Sequence, residues 1–212
     1  KQINAIHFRE KNDRYSAAAS SADFSNNYQI DVSKSGASFH QITNSLPTIM
    51  PEATHSAAIQ LAKISGAQVF TTVGNEEKKR FCEALGAKIS VNYKETDFLE
   101  VFKQSTKNIG IDVILDMVGG SYIEKNISLL ARDGRLIMIA FLEGSKAEIN
   151  FVRLMLKRLV ITGSTLRSRS DSFKAKIAEE LYSKVWPLLV SGEIKPVVDK
   201  VFPLSRVREA HL

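Results

Sequence analysis

A chain of 212 residues that is 44% apolar can bury one large core, and it contains no run of about 18 apolar residues that would cross a membrane as a helix. Its single cysteine, Cys82, excludes an internal disulfide and has no Cys or His nearby in sequence to form a zinc-ligand spacing, so no metal site is expected. The net charge of +6 lies beyond residue 54, because residues 1–54 hold five Lys/Arg and five Asp/Glu. There it is scattered, and its densest spots, Lys78-Lys79-Arg80 and 167–169, lack interleaved aromatic residues, which argues against a nucleic-acid partner.

The first fourteen residues are too polar for a secretory signal, so a soluble, cytoplasmic protein is expected. Residues 1–50 are rich in Ser, Asn and Asp, and only 28–32 and 37–42 read as short strands. This segment is predicted to be irregular or disordered. From Pro51 onward, strand-like apolar runs alternate with amphipathic helical runs every twenty residues or so, which sets a boundary between 1–50 and a domain over 51–212.

In chain order, a helix is predicted over 55–64, with Ala58, Ile59, Leu61 and Ala62 on its apolar side and Gly66 as its stop. A strand follows over 68–73. Asn75 is placed to cap a helix reaching Leu85, which Gly86 ends. A strand over 88–92, a helix over 95–107 and an apolar strand over 111–118 come next; the last reads as buried on both faces and therefore central. Gly119-Gly120 opens a helix to Ala131, Asp133-Gly134 turns the chain, and 135–141 is another buried strand. A helix over 151–158, a strand over 159–165 and a long helix over 171–190, broken by Pro187, complete the pattern.

Repeated right-handed βαβ crossovers give an α/β, doubly wound parallel sheet of Rossmann-like form. Such sheets bind ligands beyond the carboxyl ends of their strands, which points to Val73-Gly74, Val118-Gly119 and Phe141-Leu142. A fold preferring NAD places a carboxylate after the second strand for the ribose 2′-hydroxyl. Val73-Gly74-Asn75 offers none, so a 2′-phosphate would meet no repulsion there.

The segments GAQVFTTVGNEEKKRFCEALGAKISVNYKETDF, GIDVILDMVGG, DGRLIMIAFLEGSKAEI, MLKRLVITGSTLRSRS and VWPLLVSGEIKPVVDKVFPL resemble the nucleotide-binding domain of zinc-independent, NADPH-dependent quinone oxidoreductases. The match is closest to the p53-inducible type of the medium-chain dehydrogenase/reductase superfamily, and it covers about residues 57–212. The resemblance implies NADP(H) as cofactor, with Lys78 pairing the 2′-phosphate, Gly74 allowing close backbone approach and Tyr93 near the adenosine phosphate. Val118, Phe141 and Leu142 would border the adenine and nicotinamide portions. It also implies a quinone-like acceptor and a homodimer formed by strand pairing, for which 136–145 is the candidate segment. No catalytic residue is assigned.

The chain departs from that family in three respects. No glycine lies between Gly36 and Gly66, so the Gly-rich phosphate turn is missing, and Pro51-Glu52-Ala53-Thr54-His55 precedes the first helix instead. The family's first strand, which lies mid-sheet, is not recognisable; 28–32 or 37–42 are the candidates to replace it. The family's other domain and its final strand are not recognisable either, and a truncated chain is expected. Two functional readings follow: hydride transfer from NADPH to a quinone or similar electron-poor molecule, or an inactive remnant that binds nucleotide or a partner without turnover. A basic nucleic-acid-binding domain ranks last.

Overall fold

The computed structural model describes residues 3–9, 51–198 and 201–210. Its strands are β1 (Ile3–Arg9), β2 (Gln68–Val73), β3 (Ile89–Asn92), β4 (Ile111–Asp116), β5 (Leu130–Met138) and β6 (Val160–Gly163). The helices are α1 (Pro51–Ile64), α2 (Glu76–Leu85), α3 (Phe98–Ser105), α4 (Tyr122–Leu129), α5 (Phe151–Lys157), α6 (Asp171–Glu180), α7 (Trp186–Ser191) and α8 (Val207–Ala210). The strands form one sheet in the order β3-β2-β1-β4-β5-β6, the doubly wound α/β arrangement.

Strand alternation divides the core between the two faces of the sheet. Phe70 of β2, Ile114 of β4 and Leu136 and Met138 of β5 pack with Phe98, Phe102, Tyr122 and Ile127 from α3 and α4. Val69 and Val73 of β2, Val113 and Leu115 of β4 and Ile137 of β5 pack with Ala58, Ile59, Ala62 and Cys82 from α1 and α2. The apolar 111–118 run is indeed central, as its burial on both faces requires.

The middle of the sheet differs from the sequence expectation. Five strands are parallel, but β1 runs antiparallel to both neighbours: Ala5 to Arg9 oppose Thr72 to Gln68, and Ala5 to Phe8 oppose Asp116 to Val113. A strand thus arises inside the segment read as irregular, and it takes the place left open in the family pattern. Residues 28–32 and 37–42, the candidates for that place, lie outside the described residues. An antiparallel ladder satisfies the facing backbone groups of β2 and β4 as fully as a parallel one would, so the sheet closes without two bare internal edges.

The capping residues read from sequence perform as expected. The Asn75 side chain accepts the Lys78 amide at 2.9 Å, and Gly86, at φ +121°, donates its amide to the carbonyls of Cys82 and Glu83. α4 is shorter than predicted because Leu130 is already extended and opens β5. The 133–134 turn is a bend within that strand; Asp133 has φ +62°, and the register with β4 skips between Ile111 and Val113. The break in the long helix falls one turn before Pro187. A π-helical turn over Leu181–Val185, where the Trp186 amide reaches the Leu181 carbonyl, accommodates the missing proline N–H and its bulk.

α1 descends to the amino end of β2, so its own amino end faces the carboxyl edge of the parallel strands. Gln60 on α1 holds the C-terminal segment, accepting the Lys195 amide at 2.9 Å and donating to its carbonyl at 3.0 Å. Among the described residues, no helix is long and apolar enough to cross a membrane.

Candidate functional site

All six predicted binding residues lie at the carboxyl edge of the parallel strands, in two adjoining groups. The first gathers where β2 and β3 end. The Tyr93 amide donates to the Val73 carbonyl at 3.0 Å, and a Cβ on Gly74 would lie 3.3 Å from the Tyr93 hydroxyl. Glycine therefore lets the tyrosine lie directly over the strand end. The Tyr93 ring meets Tyr122 edge-on (6.4 Å, 79°), and Tyr122 stacks on Phe98 (4.9 Å, 28°). An aromatic chain thus fixes the ring's position from the core outward.

Lys78 belongs to the first turn of α2, beside this group. A first-turn lysine is usually solvated, yet Lys78 is only 9% exposed. It follows the inner face of the helix toward Cys82, one turn on. Burial pushes the Cys82 thiol up to about 11, while a hydrogen bond with Thr71 and the Lys78 charge pull the other way. The unfolded thiol ionises near 9.0, so the folded state binds the proton more tightly and loses stability as pH rises from there toward about 11. Urea unfolding is expected to show about 2 kcal/mol less stability near the upper end of that window than below it, and Cys82→Ala should remove this slope. The same thiol should resist alkylation in the folded protein.

The second group gathers where β4 and β5 end. Val118 is buried, whereas Phe141 and Leu142 are 49% and 50% exposed. Backbone bonds lock the two strand ends together: Leu142 and Glu143 amides donate to the carbonyls of Met117 (3.0 Å) and Val118 (2.8 Å), and the Gly120 amide donates to Gly144 (2.8 Å). The crossing is so close that a Cβ on Gly119, itself at φ +68°, would lie 2.4 Å from the Gly144 carbonyl oxygen. The groups adjoin through Tyr122, whose amide donates to the Gly119 carbonyl at 3.0 Å while its ring touches Tyr93.

Sequence reasoning missed Asp116. This wholly buried carboxylate ends β4 and accepts the Val118 amide at 2.7 Å and the Gly119 amide at 3.3 Å on one oxygen, and the Asn126 side-chain amide at 3.1 Å on the other. Burial pushes its carboxyl above the ordinary value; these three hydrogen bonds oppose the rise, and nearby Glu143 adds to it. The available signal was one acid in the otherwise apolar run ILDMVGG.

A surface cavity of about 280 Å³ lies elsewhere, along the outer edge of β3. Its lining mixes Glu76, Glu83 and Glu95 with Lys79 and Lys88, and Lys79 is paired with Glu76, so it carries no net positive charge to draw a phosphate. Among the described residues, no group of three or more His, Cys, Asp or Glu side chains could hold a metal ion. The side chains of 51–55, including Glu52 and His55, lie outside those described.

Known proteins share this sequence and fold. Residues 56–182 match the family model described as zinc-binding dehydrogenase. Human quinone oxidoreductase is 32% identical over 157 residues, which span 73% of this chain and 45% of that protein. The solved Escherichia coli quinone oxidoreductase complexed with NADPH is 28% identical with a TM-score of 0.61, covering 74% of this chain and 48% of its own.

 A solved NAD-dependent alcohol dehydrogenase is 33% identical with a TM-score of 0.60, covering 74% of this chain and 43% of its own. The chain spans a little under half the length of these relatives. With the sheet order and the match over 56–182 in agreement, the chain belongs to the zinc-binding dehydrogenase family of the medium-chain dehydrogenase/reductase superfamily.

Proposed function

We propose that the chain binds NADPH in preference to NADH across its carboxyl edge and serves, without a metal, in the reduction of a quinone or similar electron-poor small molecule. The observation that carries this reading is the end of β2: Gly74 and Asn75 present no carboxylate, and they lead into the capped amino end of α2, whose first turn carries Lys78. That combination suits a 2′-phosphate and removes the group that would select NAD. The residues fit the cofactor elsewhere too. Tyr93 offers a fixed ring beside Gly74, α1 directs its amino end to the same edge, and Phe141 and Leu142, on a loop bonded to the Met117 and Val118 carbonyls, supply an apolar wall. The bound dinucleotide would supply hydride; the protein's part is to orient it, exclude water and hold its phosphates, which needs few reacting side chains. A spectrophotometric assay following loss of NADPH absorbance on adding a small quinone tests the activity. Quinone-dependent loss supports it, whereas nucleotide binding without turnover favours the alternative, a binding module.

The same reading includes a homodimer, with its contact strand moved. The candidate segment 136–145 begins inside β5, which is paired on both sides by β4 and β6 and has no free ladder. Among the described residues the sheet ends at β3 and at β6; the β6 edge lies next to the candidate segment, and its sequence VITG carries neither charge nor proline to discourage pairing. The preceding helix α5 turns Arg153 and Lys157 toward Glu124 and the carbonyls of Ser128 and Leu130, and leaves Phe151, Val152, Met155 and Leu156 exposed. Ile161→Lys is expected to convert a dimer to a monomer in sedimentation analysis while leaving the circular dichroism unchanged.

A further inference from the structure

We propose that Asp116 is a positioning residue for the nucleotide crevice: its carboxylate fixes the 116–120 turn, and through that turn the 141–144 loop, in the shape the dinucleotide requires. The inference rests on the nucleotide reading above. Two features separate this carboxylate from an ordinary buried acid. First, all three of its hydrogen bonds go to the turn or to α4: Val118 and Gly119 amides on one oxygen, Asn126 on the other. Bonds to an ionised acceptor are stronger than neutral ones, and here they tie a strand end to the helix that follows it. Second, the turn so fixed is the seat of the neighbouring loop. The carbonyls of Met117 and Val118 receive the amides of Leu142 and Glu143, and Gly120 donates back to Gly144.

Besides the Ser121 hydroxyl donating to the Glu143 carboxylate and the Gly144 amide donating to the Phe141 carbonyl, it is these bonds to the turn that hold the loop carrying the exposed side chains Phe141 and Leu142. Their position depends on where the 117 and 118 carbonyls point, and that depends on the amides of 118 and 119 being held from behind. With the carboxylate neutralised, Asn at 116 keeps one acceptor oxygen but turns an N–H toward the Asn126 amide, so one of the two must rotate away. The turn then loosens without any change in the nucleotide-facing residues.

The test is residue-resolved hydrogen exchange, with and without NADPH, on the full chain and on Asp116→Asn. Protection at Val118, Gly119, Gly120, Leu142 and Glu143 is expected to fall about tenfold in the variant, while amides of β2 and β3 keep theirs, and NADPH affinity should fall by about the same factor. The double variant Asp116→Asn with Asn126→Asp, which restores an amide–carboxylate pair, should recover most of both. Equal loss of protection across every strand, or none at 120, 142 and 143, would overturn the proposal. If the wild-type chain binds no NADPH, the nucleotide reading fails, and with it the crevice role; intact protection at 142 and 143 in the variant with NADPH still bound sinks the positioning role alone. Should the single variant fail to fold, wild-type exchange decides: amides 118, 119, 142 and 143 must open together, and separate opening contradicts the proposal.

Discussion

Deleting residues 1–9 is expected to abolish cooperative folding. β1 supplies the backbone partners for the facing edges of β2 and β4, and these two strands carry the buried centre of the sheet. Each buried backbone group left without a partner costs about 1–3 kcal/mol. Loss along both ladders therefore exceeds the roughly 5–15 kcal/mol that separates a folded domain from its unfolded chain. Ile6→Pro should act in the same direction, because Ile6 opposes Thr71 on one side and Leu115 on the other and proline cannot donate within a central strand. Circular dichroism during thermal unfolding reads both variants. A cooperative transition at the wild-type temperature in either would mean that β1 does not hold the middle of the sheet.

Lys78→Ala is expected to weaken NADPH binding roughly 10- to 100-fold, the range set by losing a charge-assisted contact of about 1.5–3 kcal/mol. NADH lacks the 2′-phosphate, so its affinity should change far less, and the ratio between the two cofactors is the informative quantity. Lys78→Glu should weaken NADPH binding further than Lys78→Ala, since it sets a negative charge against the 2′-phosphate. The truncation also empties a buried position beside Cys82, so unfolding in urea must accompany the titrations. Loss of stability with an unchanged cofactor ratio would make Lys78 a packing residue and no more.

Much of the architecture was legible because its signals are local. Asn75, Gly66 and Gly86 act where their chemistry places them, and the alternation from residue 68 to residue 138 reports which faces are buried. β1 was not legible, because INAIHFR sits in a polar segment and its pairing partners lie some sixty to one hundred and ten residues away. Its antiparallel direction is likewise a property of the assembled sheet. At the site, the strand ends were found by the rule that ligands meet the carboxyl edge. Asp116 escaped because it fell inside the apolar run 111–118, read as a buried strand; only the folded turn reveals that three amides converge on its oxygens. The burial of Lys78 is also a tertiary result, since an early helical lysine looks solvated in sequence.

The central claim is that the carboxyl edge of this sheet is an NADPH site. Calorimetric titration of the chain with NADPH and with NADH, on a sample shown to be folded by circular dichroism, tests it most directly. The account predicts saturable binding that favours NADPH. A folded sample that gives no saturable binding with either cofactor would contradict it, and the family relationship would then describe the chain's descent without its present activity.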